Sequence, residues 1–236
     1  MLYRATTGVL FCAALAAAAD IRGAIVIERK LTRPNVTVST GIYQRGAAVS
    51  LGLDSEEDPL AFERSHVAVF VEGLSKVSTP NSKLVQAVIE QRERRFKPDL
   101  VVIPAGSSVS FPNFDPIFHN VFSLSKAKSF DLGNYSKGQT RTVNFLTAGM
   151  VAVYCHLHPN MAASIVVTPN QWATRAAANG SFVLKDVAPG TYTVVAWHKA
   201  AGTFRQTVTV GPTGDAEVKF TLPYVEPALE KPVAHR

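Results

Sequence analysis

Short runs rich in Val, Ile, Phe and Thr, each closed by Gly, Pro, Asn or Asp, recur from residue 24 almost to the end of the chain. Residues 24–27, 67–71, 100–103, 107–111, 120–124, 140–145, 151–154, 164–167, 192–197 and 206–210 are of this kind. β-Branched and aromatic side chains suit a pleated, half-buried surface, and the punctuating residues supply turns. Val67, Val69 and Val71 alternate with the period of a strand. One stretch, 82–94, predicts a short helix. Strand after strand with no 3.6-residue periodicity between them predicts an all-β protein built from antiparallel sandwiches, and argues against a parallel α/β sheet.

The first 19 residues follow a different grammar. Arg4 makes a short basic start, residues 5–19 are uncharged and mostly apolar, and Ala17-Ala18-Ala19 precedes Asp20. This is the layout of a secretory signal peptide cut after Ala19. Its apolar run is shorter than the ~20 residues a membrane helix needs, and no later run reaches that length. The expectation is a periplasmic or otherwise exported protein with no membrane span after cleavage. With 47% hydrophobic and 18% charged residues, the rest of the chain is not disordered.

Two cysteines, Cys12 and Cys155, exclude a disulfide-dense scaffold, a Cys-rich zinc module and an iron–sulfur cluster. Loss of the leader removes Cys12 and Arg4, so the formal net charge of +6 drops by one and Cys155 is left alone. A lone thiol in an exported chain is an inert core residue, a nucleophile or a metal ligand.

The remaining sequence divides into an N-terminal β segment (20–77), a central β domain (78–168), a C-terminal β domain (169–224) and a tail (225–236). The N-terminal segment is too short to bury a secure core, and its strand at 67–71 is suited to completing a neighbouring sheet.

Cys155 lies in Tyr154-Cys155-His156-Leu157-His158-Pro159-Asn160-Met161, between the expected strands 151–154 and 164–167. Cys155, His158 and Met161 thus share one tight loop with two-residue spacers. Upstream, His119 and Asn120 open a strand after the loop Pro112-Asn113-Phe114-Asp115-Pro116-Ile117-Phe118. Thiolate, two imidazoles and a thioether form a soft donor set that suits copper, and two His plus Cys with a weak axial Met is a type 1 blue-copper arrangement. A zinc site on His119, Cys155 and His158 leaves Met161 without a role. A Cys–His nucleophilic pair lacks an oxyanion-hole glycine loop, and simple core packing does not account for the matching histidines.

With those residues in place, the stretch from about Leu100 to Val167 resembles the cupredoxins, the small blue copper proteins. The ligand loop is most similar to the short loop of amicyanin, including the Pro after the second histidine. The resemblance implies a Greek-key β-sandwich holding one type 1 copper on His119, Cys155, His158 and Met161. It also implies that Asn120 ties the two ligand loops together and that Phe145 and Tyr154 fill aromatic positions of the late strands. His156 and the long insert 124–139 depart from the minimal pattern, and the insert is placed to cover one side of the loop.

Four histidines remain beyond the two proposed ligands: His66, His156, His198 and His235. Their scatter argues against a second copper centre, so the expectation is an electron carrier with no catalytic role. A copper storage, delivery or surface-attached structural module is the alternative. The C-terminal stretch 179–198, with its Pro189-Gly190 turn and alternating Tyr192, Val194 and Ala196, resembles carboxypeptidase regulatory-like, transthyretin-like sandwiches, which are non-catalytic appendages. His198 is either a strand-end residue or an accessory ligand. The cluster Gln91-Arg92-Glu93-Arg94-Arg95-Phe96-Lys97 is either a solvated connection or a patch steering an acidic redox partner toward His158. The export signal, and a basic cluster without interleaved aromatics, argue against nucleic acid.

Overall fold

The computed structural model describes residues 18–32, 58–73 and 84–223. All but the last two residues of the expected leader, with Cys12, lie outside them, as do the expected boundary at residue 77 and the tail 225–236. The first strands are β1 (Ala19–Ile27), β2 (Val67–Glu72), β3 (Gln86–Val88), β4 (Glu90–Arg92), β5 (Arg95–Lys97) and β6 (Leu100–Pro104). Then come β7 (Ser107–Pro112), β8 (His119–Ser125), β9 (Lys128–Tyr135), β10 (Thr140–Phe145), β11 (Gly149–Tyr154) and β12 (Ala162–Thr168). The last are β13 (Ala173–Arg175), β14 (Ser181–Val187), β15 (Gly190–His198), β16 (Gly202–Val210) and β17 (Ala216–Leu222). One short helix, α1 (Ala61–Ser65), precedes β2. The all-β class holds, and among the described residues no helix is long and apolar enough to cross a membrane.

The central sandwich packs the sheet β10-β7-β3 against β6-β12-β11-β8-β9. Its core follows directly from strand alternation. Val109 and Phe111 of β7, Val143 and Phe145 of β10, Val151 and Val153 of β11, and Ile165 and Val167 of β12 are all buried in one cluster. A strand turns every second side chain to the same face, so the same parity carries Cys155 inward beyond Val153 and Met161 inward before Ala163. It also turns His119 inward with Val121.

The stretch expected as a helix is extended instead. It forms β3 and β4, with Ile89 and Gln91 fully buried two residues apart and Ala87 half-buried before them. Burial with a period of two, together with β-branched Val85, Val88 and Ile89, overrides the weak helical pattern.

The outer sandwich combines both ends of the described chain. Its sheets are β14-β1-β17 and β13-β2-β15-β16. β1 pairs parallel with β17 and antiparallel with β14, and β2 pairs antiparallel with β13 and β15. Strands of the N-terminal segment therefore fill places inside the C-terminal sandwich. A cut after Ala19 leaves β1 starting at Asp20.

The run from Val67 to Val71 is buried throughout because β2 is covered on both faces. Val67, Val69 and Val71 enter the outer core. Ala68 and Phe70, with Val195 of β15, pack on Leu100 and Val166 of the central sandwich. This second apolar layer joins the two sandwiches. At its edge Arg175 donates to the Leu100 carbonyl, and His66 meets Asp99 at 2.7 Å.

Candidate metal centre

Three of the four expected ligands converge at one end of the central sandwich. His119 Nδ1 lies 3.1 Å from His158 Nδ1, Cys155 Sγ lies 3.7 Å from His158 Nδ1, and Cys155 Sγ lies 4.0 Å from His119 Nδ1. Bonds of about 2.0 Å to imidazole nitrogen and about 2.3 Å to thiolate sulfur put donor atoms roughly 3.3–3.8 Å apart around one ion. The observed separations bracket that range, so the donor set fits a single metal ion. His119 and Cys155 are buried and His158 is half-buried. Met161 is fully buried in the core cluster that includes Cys155, and its N–H donates to the His158 carbonyl at 2.9 Å, closing the tight loop.

Asn120 links the two ligand segments. Its backbone N–H points at Cys155 Sγ at 3.4 Å, its Oδ1 accepts the His156 N–H at 3.4 Å, and its Nδ2 donates to Asp131 Oδ1 at 2.6 Å. Asp131 belongs to β9, so the insert 124–139 is the strand partner of β8 and braces the loop from one side. His156 follows the opposite parity to Cys155. It is exposed, stacks on Phe122 with ring centroids 3.7 Å apart, and stands 3.5 Å from Asp131 Oδ2, outside the cluster.

Sequence reasoning missed Asp115. His119 Nε2 meets Asp115 Oδ2 at 2.7 Å, four residues upstream. That contact makes Nε2 the protonated nitrogen and leaves the Nδ1 lone pair facing Cys155 and His158. Ligating histidines generally give their other N–H to such a partner. The carboxylate is itself gripped: Oδ1 accepts the Glu93 N–H at 2.6 Å and Oδ2 the Arg94 N–H at 2.8 Å. Glu93 and Arg94 form the two-residue turn of the β4–β5 hairpin, both left-handed, with φ of 58° and 54°. Burial pushes the Asp115 carboxyl up, but the Arg94 N–H, the His119 ring and the Glu93 N–H together hold it below its ordinary value. The basic cluster at 91–97 is thus not a bare connection. It is a hairpin with Gln91 and Phe96 buried and a turn that holds a carboxylate behind His119. A signal existed in Asp115-Pro116-Ile117-Phe118-His119, an acid one short loop before a proposed ligand.

Burial, with the neighbouring His119 and the positive charge of Arg94, pushes His158 below its ordinary value. Neutral imidazole is the form that binds a metal. His198 and His66 stand outside the three-residue group.

The family model described as polysaccharide lyase family 4, domain II, matches residues 149–218. That stretch spans the last two strands of the central sandwich and much of the outer one, and its description is not that of a carboxypeptidase regulatory-like domain. Among solved structures, a Cu-containing nitrite reductase from Thermus scotoductus is 21% identical, with 35% of this chain and 22% of that one covered and a TM-score of 0.34. A purple cupredoxin from Nitrosopumilus maritimus is 23% identical, covering 35% of this chain and 99% of its own, with a TM-score of 0.32. A methionine-to-alanine mutant of amicyanin, in a Cu(I) structure, is 18% identical, covering 37% and 94%, with a TM-score of 0.33. The chain therefore spans about a fifth of the nitrite reductase's length. No curated protein matches it.

Proposed function

We propose that this chain is an exported single-electron carrier that would hold one type 1 copper on His119, Cys155, His158 and Met161. The observation that carries the reading is the convergence of one sulfur and two Nδ1 atoms whose orientation the surrounding fold already sets. Copper bound there would supply one-electron exchange between Cu(I) and Cu(II). Everything else is done by the chain. Asp115 fixes the His119 tautomer, and the Asn120 N–H points at the Cys155 sulfur from the neighbouring strand and so helps to hold it in place. The Met161–His158 backbone bond and the two flanking strands hold the loop taut. Ligands fixed in this way move little when charge changes, which is the requirement for fast electron exchange.

His158 is the most exposed of the three clustered ligands, and Leu157, Pro159 and Asn160 beside it face solvent. Electrons enter and leave at His158, with a redox partner protein docking on the exposed loop edge of Leu157 and Asn160 beside it. The outer sandwich, with its resemblance to carboxypeptidase regulatory-like domains, acts as a non-catalytic appendage.

The same partial exposure of His158 favours a second reading, in which a competing ligand reaches the ion and the protein delivers copper. Stoichiometric copper loading followed by NMR line broadening in mixed Cu(I)/Cu(II) samples separates the two. Rapid self-exchange with retention against a chelator is the expected result. Slow exchange with ready loss to the chelator would replace the carrier by the delivery protein.

A further inference from the structure

Between the two sandwiches, on the side where the ligand loop emerges, lies a cleft of about 1320 Å³. Its walls come from both units. The central sandwich contributes His158, Pro159 and the hairpin residues Arg94 and Arg95. The outer sandwich contributes Lys30, just after β1, and Lys199, in the turn between β15 and β16. Buried Leu31, Phe96 and Leu100 lie beneath, giving the cleft an apolar floor.

The charge on these walls is unbalanced. Four cations line the cleft against two carboxylates, Glu93 and Asp99. Both carboxylates already have partners: Glu93 is paired with Lys97 and Asp99 with His66. Among the described residues, none of the four cations is within ion-pair distance of a carboxylate. A recess with low-dielectric walls and charge of one sign focuses its field on small ions of the other sign. Clefts between domains are also where small ligands preferentially bind, in volumes of about 300–1,000 Å³. The space here is large enough for such a molecule, and walls on two sides leave little room for a folded protein.

We propose that this cleft binds a small organic polyanion, held between Arg94 and Arg95 on one side and Lys30 and Lys199 on the other, against the ring of His158. Binding needs no metal. On the electron-carrier reading, on which this consequence rests, the bound anion sits at the electron port. The docked outer sandwich then has a role: it supplies the second wall, which a central sandwich alone would lack.

The test uses the full, metal-free chain and hexacyanocobaltate(III), a redox-inert trianion, followed by amide NMR. Saturable shifts confined to the cleft residues, with one dissociation constant, are expected. Arg95→Glu should weaken binding at least about ten-fold, and Lys30→Glu from the opposite wall should do the same. Arg95 is chosen over Arg94 because the Arg94 amide holds Asp115. Lys219→Glu, an exposed reversal on β17, should change nothing, and the cation hexaamminecobalt(III) should leave the cleft unshifted. Unsaturable shifts spread over the surface would overturn the proposal, as would dependence on one wall only. Because the protein is metal-free throughout, failure here is distinct from failure of the copper reading, which the copper spectrum reports.

Discussion

Two buried histidines in this protein each meet a carboxyl group, yet they end with opposite chemistry. In the central sandwich His119 gives Nε2 to Asp115 at 2.7 Å and turns Nδ1 toward Cys155 and His158. In the outer sandwich His198 sets Nε2 3.3 Å from Glu63 Oε2, while its Nδ1 accepts the N–H groups of Ala200 and Ala201 at 3.2 and 3.3 Å. Both rings are sealed, at 0% and 1% exposure, so burial does not separate them. The second nitrogen does. When the backbone already occupies it, the ring ties the β15–β16 turn to α1. When it faces two other donor atoms, the ring can bind an ion. The carboxyl groups differ in parallel: Glu63 Oε1 accepts from the Leu31 and Thr32 N–H groups and the Thr32 hydroxyl, whereas Asp115 is held by a surface turn.

That contrast predicts a clean split between stability and affinity. Glu63→Ala takes the acceptor from three donors, the buried Leu31 N–H and the half-buried Thr32 N–H and hydroxyl, and removes the carboxylate beside the buried His198 ring, which should cost about 3 kcal/mol of unfolding free energy in urea melts. Copper affinity should not change; a parallel loss of affinity would mean that the outer pair is coupled to the ligand cluster. Asp115→Ala should do the reverse. Losing such a partner typically lowers metal affinity about 10–100-fold, readable by chelator competition for Cu(I). In the metal-free protein, nitrogen NMR should show His119 losing its single Nε2–H tautomer. Unchanged affinity with a mixed tautomer would show that the carboxylate is merely structural.

A smaller effect concerns His66, which joins the sandwiches through Asp99. Burial opposes its charge, but Asp99 and the Phe62 carbonyl outweigh that and raise it above its ordinary 6.5. Burial likewise opposes ionisation of Asp99, and His66 outweighs it, so that carboxyl falls below its ordinary 3.8. A raised histidine stabilises fully below the unfolded value and ceases to do so as pH climbs through the folded one. A lowered carboxyl stabilises above its unfolded value and ceases as pH falls through the folded one. The joint contribution is therefore greatest between about pH 4 and about pH 6.5. Because Asp99 is nearly half exposed, it should amount to about 1 kcal/mol or less. Burial lowers His158 and His198, which pulls the midpoint the other way in any variant that keeps them, so the signature is a difference: relative to His66→Gln, the wild-type urea midpoint should fall slightly from about pH 6 to about pH 8. A midpoint that rises over this interval in the wild type alone would contradict the assignment.

How much of this was readable beforehand follows the distance between the residues involved. Cys155, His158 and Met161 are local, and strand parity from Val153 and Ala163 turns Cys155 and Met161 inward. His119 was recognisable from Asn120 and the strand it opens. Asp115 is not legible in this way, because its role depends on the Glu93–Arg94 turn, about twenty residues away in a stretch whose local pattern reads as helix. The helix itself failed because Ala87, Ile89 and Gln91 point inward with a period of two. β1 could be recognised as a strand, but its pairing with β17 joins residues nearly two hundred positions apart, and no local pattern encodes that. The double burial of β2 was legible only as an unbroken apolar run from Val67 to Val71.

The central claim is that Cys155 is a copper thiolate set by the fold, and visible absorption tests it most directly. With one equivalent of Cu(II), the purified protein should develop an intense charge-transfer band that ascorbate bleaches and air or ferricyanide restores. His198→Ala should keep that band, and Cys155→Ser should abolish it. A colourless copper adduct, or a band that survives Cys155→Ser, would contradict the account.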